Sequence, residues 1–192
     1  MEGKVMFTKD STRENIYIKN RPPYHSEPHI ICDLGILLDQ FSQIRLKEGW
    51  SIHSSEGKVY AQSPSRAILK PLCAIEGDES PFSYMQAAVC YHHLCSYTEE
   101  GTSVVPESIV DDEWIRKLKL FGYWNFGEVR RSLNPIFFYD SLLHPVVIFF
   151  TCHHEGIEVI QKHIHRFDYE GYHLKYMERT WAMRDKGNFF TR

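Results

Sequence analysis

The densest run of side chains able to do chemistry is Thr151-Cys-His-His-Glu-Gly-Ile-Glu158, which follows directly on the apolar run Pro145–Phe150. On a helix starting at Thr151, His154 and Glu158 stand at i and i+4 and share one face. Those two could hold a divalent ion, with Glu155 taking a proton from metal-bound water and His165, further along the stripe, completing the ligand set. Zinc or manganese would serve such a metal-dependent hydrolase or nuclease. The same turn offers a second chemistry. A thiol at a helix N-terminus is acidified, so Cys152 could act as a nucleophile with His153 or His154 as its base. Against both stands a plainer explanation, a polar first turn preceded by a buried, inert cysteine at a strand end, and this is the explanation the segment favours.

His154-Glu155-x-x-Glu158 resembles the zinc-protease helix H-E-x-x-H only in part, because Glu158 stands where the second histidine belongs and Gly156 weakens the helix. A second cluster, Cys90-Tyr-His-His-Leu-Cys95, sets its cysteines roughly 140° apart around a helix, too far to share one ion. Cys90 with His93, or His92 with Cys95, could instead pair across the fold with Cys152–His154 as a structural zinc site. Core packing of Tyr84, Ala88, Tyr91 and Cys95 as one stripe accounts for the same helix without metal. From Lys162 to Arg192, the basic Lys162, Arg166, Lys175, Arg179, Arg184, Lys186 and Arg192 interleave with Tyr169, Tyr172, Tyr176, Trp181, Phe189 and Phe190. Such a mixture can grip single-stranded RNA through phosphate contacts and base stacking, although Asp168, Glu170, Glu178 and Asp185 dilute the charge. Asp111, Asp112 and Glu113 beside Trp114 suit a protein interface, and a solvated helix face explains them equally well.

Composition narrows these options. With 192 residues, 43% hydrophobic and 24% charged, the chain can bury a core without needing disulfides or a structural metal. A net charge of -3 provides no general attraction to phosphate backbones, so nucleic acid is not a favoured partner. The five cysteines form no regular framework and the start of the chain lacks a signal peptide's apolar region, which together predict reduced thiols and a cytoplasmic location. The longest apolar run is too short to cross a membrane as a helix. Phosphate-binding glycine loops, the G-x-S-x-G elbow and Cys-x-x-Cys pairs are missing from the sequence.

The elements that must position these residues read as follows. Hairpins are expected at Lys4–Thr8 with Asn15–Lys19 and at Trp50–His53 with Lys58–Ala61, with a further strand at Ala67–Leu72. Adjacent strands are expected at Ile136–Tyr139 and Val146–Phe150. Helices are expected over 33–48, from Ser80 (N-cap) and Pro81 to about Gly101, over 106–121, from Thr151 through Phe167, and over 172–184. The sum is an α+β fold, a mostly antiparallel sheet packed with about five helices, in a single compact domain spanning 1–192 with a soft lobe boundary near 99–106. The expected function is that of a non-catalytic, cytoplasmic, aromatic-rich protein, without a cofactor, that binds another protein as a regulator, adaptor or immunity factor. The metal-dependent hydrolase is the alternative and RNA binding the third reading, while a small-molecule ligand for the aromatic residues stays open.

Overall fold

The computed structural model of the chain describes residues 5–6, 32–55, 58–96, 108–117, 124–126, 132–153 and 159–185. The described residues form three antiparallel sheets and one long α-helix. This corrects the expectation of one sheet packed with about five helices. The small sheets come first. One combines β2 (Cys32–Asp33), β4 (Ser51–Ser55), β5 (Lys58–Gln62) and β6 (Ala67–Ile68), and the other pairs β3 (Ile44–Leu46) with β7 (Ile75–Gly77). Helix α1 (Pro81–Ser96) follows, then β8 (Ser108–Val110), the short α2 (Asp112–Lys117) and β9 (Trp124–Phe126). The large sheet is completed by β10 (Ile136–Tyr139), β11 (Pro145–His153), β12 (Val159–Phe167) and β13 (Leu174–Asp185), in the order β1-β10-β11-β12-β13-β9 with β1 at Val5–Met6.

β11 is the spine of the large sheet. Its first half pairs with β10 and its second half with β8, while β12 runs along the other side. Val147 and Phe149 point into the main core and Phe150 and Cys152 into a second one, so the strand is buried on both faces. That is why its sequence is continuously apolar rather than alternating. The main core runs from Leu34 to Tyr172, and α1 packs against β10 and β11 of the large sheet and against β3 and the Pro71–Ala74 turn. A helix covered in this way is buried around most of its circumference, and Met85, Ala87, Ala88, Val89, Cys90 and Leu94 are all inaccessible.

The start of α1 follows its sequence. The Ser80 hydroxyl accepts a hydrogen bond from the Ser83 N–H at 3.2 Å, and the Ser83 hydroxyl donates to the Ser80 carbonyl at 2.8 Å. Pro81 takes the first helical position, where its missing N–H costs nothing. From the far end of the large sheet, the Tyr172 hydroxyl accepts from the Glu79 N–H at 2.9 Å and donates to the Ser83 hydroxyl at 2.8 Å. The β12–β13 turn is thereby pinned to the helix entry. Gly77 lies beneath that hydroxyl, where a Cβ would collide with the Gln43 carbonyl oxygen and the Tyr172 side chain.

Three expected long helices are corrected. Over 33–48, Leu34, Leu37, Leu38 and Phe41 are buried as the helical spacing requires, but the chain makes only a 3-10 turn at Gly35–Gln40 before β3. Phe41 turns extended, and the Gln43 N–H leaves the backbone ladder for the Gln86 side chain at 2.8 Å. From Thr151 to Phe167 there are strands instead, because Thr151–His153 finishes β11 and Val159–Phe167 pairs with it residue by residue. Over the expected helix 172–184 the chain leaves a turn and runs as β13 from Leu174. Within the expected helix over 106–121, the described residues form the strand β8 at Ser108–Val110 and then α2 at Asp112–Lys117. The β4–β5 hairpin, β10, β11 and α1 stand where expected, and Val5–Met6 pairs with β10. Residues 15–19 and the 99–106 boundary lie outside the described residues.

Candidate functional site

The alternation of β12 places His163, His165 and Phe167 on the face covered by α1, all three almost wholly buried. The His163 ring stacks on Phe149 with centroids 4.8 Å apart, and its Nε2 lies 2.8 Å from the Thr151 hydroxyl oxygen. From α1, His92 meets His163 edge to face at 4.8 Å and Phe149 at 5.9 Å, and His93 stands 5.9 Å from His92. His165 packs edge-on against Phe149 at 5.2 Å and against Tyr91 at 5.8 Å. A histidine cluster thus fills the seam between helix and large sheet.

Burial holds His93, His163 and His165 neutral. It lowers His93 to about 4 with the help of His92, His165 to about 3 likewise, and His163 to about 2 with added repulsion from His92, His165 and Arg179. Burial also lifts Tyr91 to about 12 and drives the Cys90 thiol far above its ordinary range. A thiol so placed is inert.

The other side of β12 leads to a surface. In register, Arg179 lies opposite His163, Met177 opposite His165 and Trp181 opposite Gln161, so these β13 side chains share the histidine face of the sheet. Met177 is 46% exposed, Trp181 52% and, on the opposite face, Tyr176 50%. Among the described residues, β13 pairs with β9 only at Met183–Asp185, and its outer edge from Leu174 to Ala182 has no strand beside it. At the foot of this strand Asp140 organises a polar knot. It accepts from the N–H groups of Leu142 and His144 at 2.8 and 2.9 Å and pairs with Arg166 at 3.1 Å, while Lys175 lies 3.1 Å from the His144 Nε2 and 3.8 Å from Asp168. Burial works against ionisation of Asp140, but the two N–H groups and Arg166 outweigh it and hold the carboxyl below its usual range.

Of the residues singled out in the sequence, His165 is in the cluster described above, on a strand rather than a helix, and His154, Glu155 and Glu158 lie outside the described residues. Among the described residues, no three His, Cys, Asp or Glu side chains are placed to hold a metal ion. Cys90 belongs to the main core and Cys152 to the second core on the opposite face of the large sheet, so the two do not converge. None of Cys73, Cys90, Cys95 and Cys152 is in a disulfide. The acidic segment is engaged with its own chain. Asp111 accepts from the Trp114 N–H at 2.7 Å, and the Asp112 carboxylate accepts from the Leu133 N–H at 2.7 Å and the Ser132 hydroxyl at 2.9 Å. Trp114 packs against the second core, and Glu113 is partly buried. The sequence reading missed the pairing of His163 with His165 and the exposed strand. The missed signal is His163-x-His165-x-Phe167, a period of two that emerges only when histidine is allowed to be a core residue.

No helix among the described residues is long and apolar enough to cross a membrane. Comparison of the chain with family models, curated proteins and solved structures finds no match.

Proposed function

We propose that the chain is a non-catalytic protein that binds another protein, and that β13 is the strand it presents. The observation that carries this reading is the exposure on β13 of Met177 and Trp181 on one face and Tyr176 on the other, along an edge that no strand among the described residues covers from Leu174 to Ala182. An open strand edge can accept an extended segment through backbone hydrogen bonds, while side chains on alternate faces supply specificity. Trp, Tyr, Met and Arg are the residue types that supply anchors in protein interfaces. RNA is the weaker reading, because Arg166 and Lys175 already face Asp140 and Asp168.

The test compares proteins recovered from the native cells by the wild-type chain, by Met177→Glu/Trp181→Glu, and by Leu69→Glu, which alters an exposed leucine elsewhere. A partner kept by wild type and Leu69→Glu but lost by the double variant supports the reading. Identical recovery with all three, or a captured species that is RNA and is released by moderate salt, overturns it.

A further inference from the structure

We propose that the histidines between α1 and the large sheet form an acid-sensitive latch, in which protonation of the imidazoles releases the helix from the sheet. The cluster includes His165, whose ring is fully buried and whose two nitrogens both lack a hydrogen-bond partner among the described residues. The Nε2 of the buried His93 lacks one as well. An unpaired buried polar group is a standing cost, and the same group carrying a charge costs far more. A phenyl ring would fill the space between Phe149 and Tyr91 without that cost. What the imidazole adds is the capacity to take up a proton.

The groups facing the cluster come from every element packed around it. Tyr91, His92 and His93 reach in from α1, Thr151 from β11, and Arg179 stands across from His163 on β13. Burial is the largest influence against ionisation, and the neighbouring imidazoles and the Arg179 guanidinium add to it. Once one imidazole is charged it makes charging its neighbours in the folded state harder still, and hydration of the charged ring requires the helix to leave its place over Phe149. The seam then opens along Tyr84, Tyr91 and His92 on one side and Phe149 and His165 on the other.

Acid titration of the full chain, followed by near-ultraviolet circular dichroism and by binding of a hydrophobic dye, tests the latch. Wild type should lose its tertiary signal and take up dye at about pH 5, below the ordinary imidazole range. His163→Phe and His165→Phe should each move that midpoint down by roughly half a pH unit or more. Histidine proton resonances of the unaltered chain provide a readout that does not depend on a variant folding: those of His93 and His165 should stay in their neutral positions until the transition and change with it. A midpoint moved by neither substitution, imidazoles that titrate freely within the folded state, or an intact fold at pH 3 overturns the proposal.

Discussion

Tyr172 shows how much one hydroxyl can organise. Its oxygen is both acceptor for the Glu79 N–H and donor to Ser83, and its ring packs 5.1 Å from Tyr84 in the main core. Tyr172→Phe keeps the ring and leaves two polar groups without their partner. It should lower stability by about 1–3 kcal/mol in urea denaturation. Gly77→Ala attacks the same junction by volume, since a Cβ there overlaps a main-chain oxygen that cannot rotate away. Overpacking of this kind costs about 1–3 kcal/mol, read as a reduced denaturation midpoint. His165 is a contrasting case. Because neither of its nitrogens is bonded, replacing it with Phe removes no hydrogen bond and should leave stability at neutral pH unchanged or slightly raised.

At the scale of elements, α2 is held to the loop before β10 mainly through one carboxylate. Asp112 takes bonds from Ser132 and Leu133, and its own N–H donates to Asn134 at 3.3 Å. Asp112→Ala should therefore speed amide exchange at Leu133 several-fold while leaving α1 protected. This tie could not be read from sequence, where the acidic run looks like any solvated helix face. Other elements were plain. Ser80-Pro81 announces a helix start through capping chemistry, and the β-branched and aromatic run ending at Phe150 announces a buried strand. β12 was hidden because Ile160, Ile164 and Phe167 fall at helical spacing, and the residues that reveal its true period are histidines, normally counted as polar. In β13 exposure on both faces removed the alternation that marks a half-buried strand. The exposed surface there was legible as composition, a mixture of aromatic and basic residues, but not as a strand edge.

At the scale of the molecule, the buried histidines tie stability to pH, and the sign follows from their lowered values. Above about 6.5, folded and unfolded chains both carry neutral imidazoles and this contribution is flat. As pH falls below about 6.5, the unfolded chain takes up protons that the folded state refuses, so stability declines. The slope is about 1.4 kcal/mol per pH unit for each histidine, or about 4 kcal/mol for His93, His163 and His165 together. Against a total of roughly 5–15 kcal/mol for a folded domain, each such unit removes roughly a quarter to four-fifths of the margin. Urea midpoints measured from pH 7.5 to 5 should fall accordingly, and His165→Phe should flatten the decline by about a third.

The position of α1 between two sets of strands also orders events during synthesis. When α1 leaves the ribosome, residues Leu34 to Gly77 already exist and can cover the flank that meets β3 and the Pro71–Ala74 turn. The flank bearing Tyr84, Tyr91 and His92 must wait for Phe137, Phe149 and His163, and the pairing of β1 with β10 waits equally long. A nascent chain stalled near residue 120 would expose this aromatic flank to the solvent and to chaperones, and translation through β12 is what closes it.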